Sequence, residues 1–415
     1  MKILHVAPYA PVPPTFGGAL RIFHLLSNMV SRHEVSLLAY GGQREYRLLR
    51  QFFGEKIKYI YLVPYPWPDR HRRLAQFYSL WTEHSFFHNL VYTDLMQTMI
   101  NRQLRTNRFD IVQTEFASLG AFTFNTEAVK ILDAHNVEYD NFRRMSENAH
   151  SMMRKLHYYR EYKKFFAEEM EACRKHDAIF VTSSRDKCIL DRDVEDVQKF
   201  VVPNGVDTKY FTPSIGFSEP HSIVFTGMMA YVPNYDGMLY FLDQIFPIVL
   251  RSIPDAKIYV VGNRPPKRLQ KRSSRNVIIT GYVDDVRPYV WRSSVYVVPL
   301  RMGGGTRLKI VEAMAMKKPI VTTSIGCEGI EAKDNEDLLV RDTPQEFADA
   351  VIRLLEDRSL AARLVWHSYE KVRASYDWSI IGRQMERLYQ RLVNEKSSGV
   401  QPKRDRLVAE PMYPR

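Results

Sequence analysis

Cysteine is scarce in this chain: Cys173, Cys188 and Cys327 are the three found in 415 residues. Their wide spacing gives neither a disulfide scaffold nor a zinc site, and no metal is expected. Cys188 and Cys327 read as ordinary buried or half-buried thiols. Long hydrophobic runs are also missing. No stretch of eighteen apolar residues occurs, so no transmembrane helix is expected. The opening MKILHVAPYAPVPP has an apolar run too short for a signal peptide and meets prolines at once. It reads as a first strand, and a cytoplasmic location is expected. The dinucleotide fingerprint GxGxxG is absent, and no acidic residue closes the second strand at Ala39. Zinc-finger, RNA-binding-strand and basic-heptad patterns are lacking, so nucleic acid is not an expected partner. Negative charge is in deficit, with a formal net charge of +12 spread along the chain. That sign fits anionic small substrates or an anionic membrane.

What is present is an alternation of short strands and helices, too long for one ordinary core, which predicts two α/β domains. The first half reads as strands at Lys2–Ala7, His33–Ala39, Ile57–Val63, Phe109–Gln113, Ala128–Asp133 and Ala178–Thr182. Gly17 and Gly18 open a helix after the first of them. Residues 140–175 read as one long helical stretch. Residues 41–110 are less regular. Within them, residues 65–87 interleave Trp67, Phe77, Tyr78, Trp81, Phe86 and Phe87 with Arg70, His71, Arg72 and Arg73. This mixture suits an amphipathic face on anionic lipid, an acceptor groove, or a helix packed on its own domain. The pair Asn204–Gly205 suits a hinge. The second half reads as strands at Ser222–Thr226, Lys257–Val261, Val277–Thr280, Val295–Pro299, Ile320–Thr323 and Leu338–Val340. A helix from Asp236 to Leu250 and a final helix from Trp378 accompany them. The predicted domains are residues 1–205 and 206–375, with a helix at 376–394 crossing back toward the first. Residues 395–415 read as a mobile tail.

Residues 299–330, PLRMGGGTRLKIVEAMAMKKPIVTTSIGCEGI, hold the strongest local signal. A strand enters Gly303, Gly304 and Gly305, Thr306 is placed to cap a helix from Arg307 to Met316, and a strand follows. Free N–H groups at such a turn favour a phosphate, and Arg307 and Lys309 add positive charge. Glu312 suits neutral polar groups such as ribose hydroxyls. A packing turn with surface Arg and Lys would use the same residues. Strand ends place Gly227, Gly262, Val283 and Gly326 on the same rim of a parallel sheet. A nucleotide crossing that rim would put its base near Tyr282 and Val283 and its diphosphate at 303–307. In the first half, His135 lies just past a strand end, where open sheets place ligands; it could donate a hydrogen bond or move a proton, with Asn136 and Glu138 to orient it. A surface or satisfied core histidine is the alternative there.

These segments, together with DAHNVEYDN at 133–141, VVPNGVDTKYF at 201–211 and FTGMMAYVPNYDG at 225–237, resemble the retaining glycosyltransferases of family 4. The resemblance runs from Met1 to about Leu392. It implies the GT-B fold, two Rossmann-like domains with an interdomain cleft. It implies transfer from a nucleotide diphosphate sugar, UDP- or GDP-linked, to a glycan or lipid-linked acceptor hydroxyl, in polysaccharide or cell-envelope glycan synthesis. No cofactor is obligatory by that resemblance. His135 matches the histidine near the donor sugar, Gly17 and Gly18 the loop near the donor phosphates, and Glu312 the second glutamate of a pair separated by seven residues. Gly304 stands where the first glutamate usually is. The basic pair usual after Gly227 is replaced by MMAYVPN, leaving Arg307 and Lys309 as the nearest substitutes. A nucleotide-sugar epimerase of the same fold and a non-catalytic sugar-nucleotide or glycan binder are the alternatives. Peripheral association with the inner face of an anionic membrane goes with the lipid-linked acceptor.

Overall fold

The computed structural model describes residues 1–66, 79–149, 151–214, 216 and 218–399. The chain divides into two compact units, residues 1–202 with those from Gly382 onward, and Pro203–Ile381.

The N-terminal unit is built on β1 (Lys2–Ala7), β2 (Glu34–Tyr40), β3 (Ile57–Val63), β4 (Ile111–Glu115), β5 (Val129–Ala134), β6 (Ala178–Val181) and β7 (Gln198–Val201). All pairs are parallel, in the order β3-β2-β1-β4-β5-β6-β7. Helices on both faces explain why these strands are continuous apolar runs rather than alternating ones. Ile3, Leu4, Val6 and Ala7 of β1 are fully buried. Each such Ile, Leu or Val contributes roughly 1.5–3 kcal/mol. Strand order reverses between β1 and β4, and that is where an open sheet leaves a ligand crevice beyond its carboxyl ends.

The long helical stretch expected at 140–175 is two helices, Glu138–Glu147 and Met152–Arg174. Asn148 caps the first, and the second restarts at Ser151. A helix at Gln43–Phe53 lies in the stretch that sequence left irregular. Its start is fixed by Glu45, which accepts a bond from the Gly42 N–H at 2.9 Å, half of a capping box. Of residues 65–87, residues 67–78 lie outside the described residues. Among the rest, Phe86 is buried and Phe87 packs on Phe165 at 5.6 Å between ring centroids, whereas Trp81 is 81% exposed.

The C-terminal unit holds β8 (Ser222–Thr226), β9 (Lys257–Val261), β10 (Val277–Gly281), β11 (Val295–Val298), β12 (Ile320–Thr322) and β13 (Leu339–Val340). They are parallel in the order β10-β9-β8-β11-β12-β13, so the switch point lies between β8 and β11. The helix expected from Asp236 starts at Val232, since Pro233 suits a first turn. Cys327 is half-buried, but Cys188 is exposed, contrary to its reading as a buried thiol. No helix among the described residues is long and apolar enough to cross a membrane.

Candidate functional site

The C-terminal switch point gathers Gly227, Asn234, Lys309 and Glu312. Gly227 follows β8, with φ +156°. A Cβ there would lie 2.8 Å from both Asn234 Nδ2 and Lys309 Nζ, so only glycine lets the ammonium sit against this backbone. Lys309 Nζ donates to Asn234 Oδ1 at 2.8 Å and stands 4.0 Å from the Phe225 ring centroid. Burial, then Arg307, pulls the Lys309 ammonium down to about 7, with Glu312 opposing. Burial pushes the Glu312 carboxyl up to about 7, with Lys309 opposing. A carboxyl raised and an ammonium lowered, each chiefly by burial, therefore lie on one helix, Leu308–Ala315. An incoming anion would recharge the lysine, and neutral hydroxyls would satisfy the glutamate without a charge mismatch.

The glycine loop itself is left-handed at Gly303 (φ +116°) and Gly305 (φ +75°), where glycine avoids a Cβ clash. Arg307 is buried, and its Nη1 donates to the carbonyls of Gly304 and Gly305, so in this conformation it braces the loop. The helix starts at Leu308, one residue later than sequence placed it. Its cap position is Arg307, with no side-chain cap, and Thr306 Oγ1 is buried without a hydrogen-bond partner among the described residues. Thr306 therefore does not cap the helix. Tyr282 is 70% exposed and Val283 half-buried, both just past β10 at the edge of the sheet, with β9 and β8 between them and β11.

In the N-terminal unit the switch point is occupied by a buried charge network. His135, just past β5, is 5% exposed, and its Nε2 donates to Glu115 Oε2 at 2.6 Å. Glu115 ends β4 and is fully buried. Gln113 Nε2 donates to its Oε1 at 2.7 Å, and His5 Nε2 of β1 lies 2.8 Å from that oxygen. Burial would raise this carboxyl, yet the His5 and His135 imidazoles hold it well below the usual carboxylate range. Arg21 grips Asp133 at the end of β5 with two bonds, 3.0 and 2.7 Å. Burial still leaves Asp133 raised, Arg21 opposing. Tyr389 of the last helix donates to Gln113. Gly17 is the first residue of the helix Gly17–Met29. At Gly18 a Cβ would fall 2.4 Å from Tyr9 Oη, 2.9 Å from Phe116 Cζ and 3.6 Å from His135 Nδ1. Gly18 therefore brings a helix start against the histidine. The Phe116 and His135 rings stand 3.8 Å apart by centroid, and Phe116 has φ +68°, strain of the kind stored at functional sites.

The orientation of His135 was expected from Asn136 and Glu138. Those two bond each other at 3.3 Å, and the imidazole's hydrogen-bond partner is Glu115. Glu115, Asp133, Arg21 and His5 are the residues that sequence reasoning missed. A weak signal existed: His5 interrupts the apolar strand KILHVA, and Arg21 interrupts the apolar face of its helix. Glu115, Asp133 and His135 have metal-ligand spacing, as do His84, His88 and Glu168. In the first group Arg21 already supplies a positive charge, held on Asp133 by bonds of 3.0 and 2.7 Å.

Residues 220–357 match the family model described as Glycosyl transferases group 1. A protein of the cps region of Klebsiella pneumoniae, described as uncharacterized, is 22% identical over 91% of this chain and 96% of its own. The UDP-Gal:alpha-D-GlcNAc-diphosphoundecaprenol alpha-1,3-galactosyltransferase of Escherichia coli is 25% identical over 42% of this chain and 50% of its own. Among solved structures, Anabaena Alr3699/HepE in complex with UDP superposes with a TM-score of 0.69 at 14% identity, covering 94% of this chain and 100% of that one. Sucrose-phosphate synthase from Thermosynechococcus elongatus gives 0.67 at 16% identity, covering 95% and 100%. At these identities the likeness is one of fold, and the architecture is GT-B: two Rossmann-like α/β units.

Proposed function

We propose that this chain transfers a sugar from a nucleotide diphosphate sugar to a hydroxyl of a glycan or lipid-linked acceptor, with retention at the anomeric carbon. One observation carries the reading. Lys309, Asn234, Gly227 and Glu312 form an enclosed cation-and-acid pair at the switch point of the unit that matches the group 1 family model. The Lys309 ammonium meets the donor diphosphate and takes up its charge as the sugar bond breaks, aided by the N–H groups around Gly303–Gly305. Glu312 holds the ribose hydroxyls. The base rests near Tyr282 and Val283. In the N-terminal unit by itself, Gly17 and Gly18 open a helix whose start stands beside His135, and Glu115 fixes Nε2 so that Nδ1 is left for a sugar oxygen.

In this reading the acceptor hydroxyl attacks on the leaving-group side. Its proton passes to the departing diphosphate oxygen, and that oxygen's bond to the anomeric carbon breaks as the new one forms. No carboxylate nucleophile is needed. UDP is the preferred nucleotide, since the Anabaena structure named above holds UDP. The lipid-linked acceptor class follows the name of the Escherichia coli relative, which acts on a diphosphoundecaprenol-linked sugar. Such a role places the protein on the cytoplasmic side of the envelope, in polysaccharide or cell-envelope glycan synthesis.

The experiment is a panel of UDP- and GDP-sugars scored for protection against thermal unfolding and for slow hydrolysis without acceptor. Protection by UDP-sugars with release of UDP is expected. Protection with no turnover under any acceptor would leave a binding protein, and an altered free nucleotide sugar would make it an epimerase.

A further inference from the structure

The helix Met152–Arg174 is seated in the core over its second half, whereas its first turns rest on the preceding helix Glu138–Glu147, where Ser146 Oγ donates to the Lys155 carbonyl at 3.1 Å and Phe142 meets Tyr158. From Phe165 onward it is packed into the N-terminal unit through Phe165, Met170, Ala172 and Cys173. Its first three turns stand out of that core. Met152 is 79% exposed, Met153 84%, Leu156 60% and Tyr159 49%. Residues 152, 156 and 159 follow the i, i+4, i+7 spacing of one helix face, and Met153 adjoins it. Met145, on the preceding helix Glu138–Glu147, is exposed as well. A contiguous apolar cluster in water marks a contact surface, whereas single exposed apolar side chains do not.

On residues 152–163 the exposed charge is of one sign, while Glu147, two residues after Met145, carries an exposed carboxylate paired with Arg143 at 3.0 Å. Arg154, Lys155, Arg160 and Lys163 are exposed along the same turns. Lys163 sits over the Tyr159 and Tyr162 rings, at 5.6 and 5.4 Å. Glu161 is the single acidic residue between positions 152 and 163, and it is buried, accepting a bond from the Phe86 N–H at 3.1 Å. The outward face therefore offers methionine, leucine and tyrosine flanked by cations, with no exposed carboxylate of its own.

We propose that the first three turns of this helix dock the N-terminal unit onto a bilayer surface rich in anionic lipid headgroups. Charge complementarity selects that occupant. A second copy of the same face would set cations against cations. Residues 67–78 contain Arg70, Arg72 and Arg73 against Asp69, so they bring the same sign and cannot neutralise the patch. A nucleic acid would match the charge but offer no hydrocarbon for Met152, Met153 and Leu156. An anionic bilayer supplies both, taking the apolar side chains at the headgroup boundary and the basic ones at the phosphates. The inference rests on the exposure and charge of residues 152–163 and stands whether or not the catalytic reading does.

The test is co-sedimentation of the full chain with vesicles of phosphatidylcholine alone and of phosphatidylcholine mixed with phosphatidylglycerol. Two variants are compared, Met152→Ser/Met153→Ser/Leu156→Ser and Arg154→Gln/Lys155→Gln/Lys163→Gln. Each alters exposed side chains, and circular dichroism with a melting curve checks that each folds. Expected are binding to the mixed vesicles only, weakening with salt, and a loss of roughly tenfold in partitioning for each variant. Several outcomes overturn the proposal: no binding by the native chain, equal binding to neutral vesicles, or equal partitioning by both variants. Equal partitioning here means that both variants partition as the native chain does; loss confined to an Arg70→Gln/Arg72→Gln/Arg73→Gln control, or a native dimer by light scattering that the serine variant dissociates, overturns it too.

Discussion

His135 Nε2 and Glu115 Oε2 are 2.6 Å apart, with both side chains buried at the strand-order reversal of the N-terminal sheet. Held ionised by two imidazoles, Glu115 can only accept, so Nε2 of His135 carries a proton. Nδ1 is left free of Glu115, on the side of Gly18, for the sugar contact proposed above. In the proposed reaction Glu115 would then be a positioning residue that acts through His135.

Replacing it tests that relationship. Glu115→Gln keeps the shape but can present its amide to His135 and so favour the other tautomer. Turnover is expected to fall roughly 10- to 100-fold with donor KM nearly unchanged. Nitrogen NMR of His135 should show the tautomer shift. His135→Ala should lower turnover at least as far while UDP affinity stays within about twofold. Unchanged turnover in His135→Ala would remove the histidine from the reaction.

Lys309 gives a pH signature. Its ammonium titrates at about 7 because burial and Arg307 disfavour the charge. A bound diphosphate favours that charge, so binding raises the lysine's pKa and takes up a proton wherever the free site is neutral. UDP affinity should therefore decline as pH rises above about 7. Calorimetry at pH 8 in buffers of different ionisation heat should detect the uptake. Lys309→Met should abolish it and weaken UDP binding at pH 7 by about tenfold or more. Identical proton uptake in that variant would place the diphosphate elsewhere.

Much of the architecture was readable because parallel strands covered on both faces leave unbroken apolar runs, as in VYVV at 295–298 and YVV at 259–261. Gly227, Gly303 and Gly305 stood out as glycines because few other residues tolerate their backbone. The N-terminal network was not. Glu115 meets His5 and His135 across three strands, and a partner fixed by strand order leaves no local pattern. Local reasoning chose Glu138, three residues from His135, over Glu115, which is twenty away. The helix Gln43–Phe53 was missed because it is mostly polar, with Leu49 and Phe53 its buried residues.

The Arg21–Asp133 pair offers a stability test. Arg21 is 1% exposed and Asp133 fully buried. Removing one partner strands the other charge in the interior, at a cost of about 3–5 kcal/mol for a broken buried pair. Arg21→Met should lose about that much in urea unfolding at pH 7. The loss should shrink at lower pH, because burial already raises the Asp133 carboxyl and protonation removes its charge. Arg21→Met/Asp133→Leu should recover part of the deficit. A single-variant loss that does not vary with pH would mean that packing, rather than charge, is the main contribution of Arg21.

Gly304 separates two reasons for a glycine. Its neighbours Gly303 and Gly305 hold positive φ, where an added Cβ is strained, but Gly304 is not among the positive-φ residues. Backbone conformation therefore requires glycine on either side of 304 and not at 304 itself, the position at which the resembling family usually carries a glutamate. Gly305→Ala should lower stability by about 1 kcal/mol and loosen the loop that Arg307 braces, with UDP affinity falling accordingly. Gly304→Ala should leave the melting temperature and UDP affinity near native. Gly304→Glu should also fold, and its effect should appear in the choice among UDP-sugars while affinity for UDP itself stays the same. By the family resemblance, the side chain would be added next to the sugar rather than the nucleotide. Equal losses in Gly304→Ala and Gly305→Ala would mean that the loop needs glycine throughout and that its sequence reports backbone geometry alone.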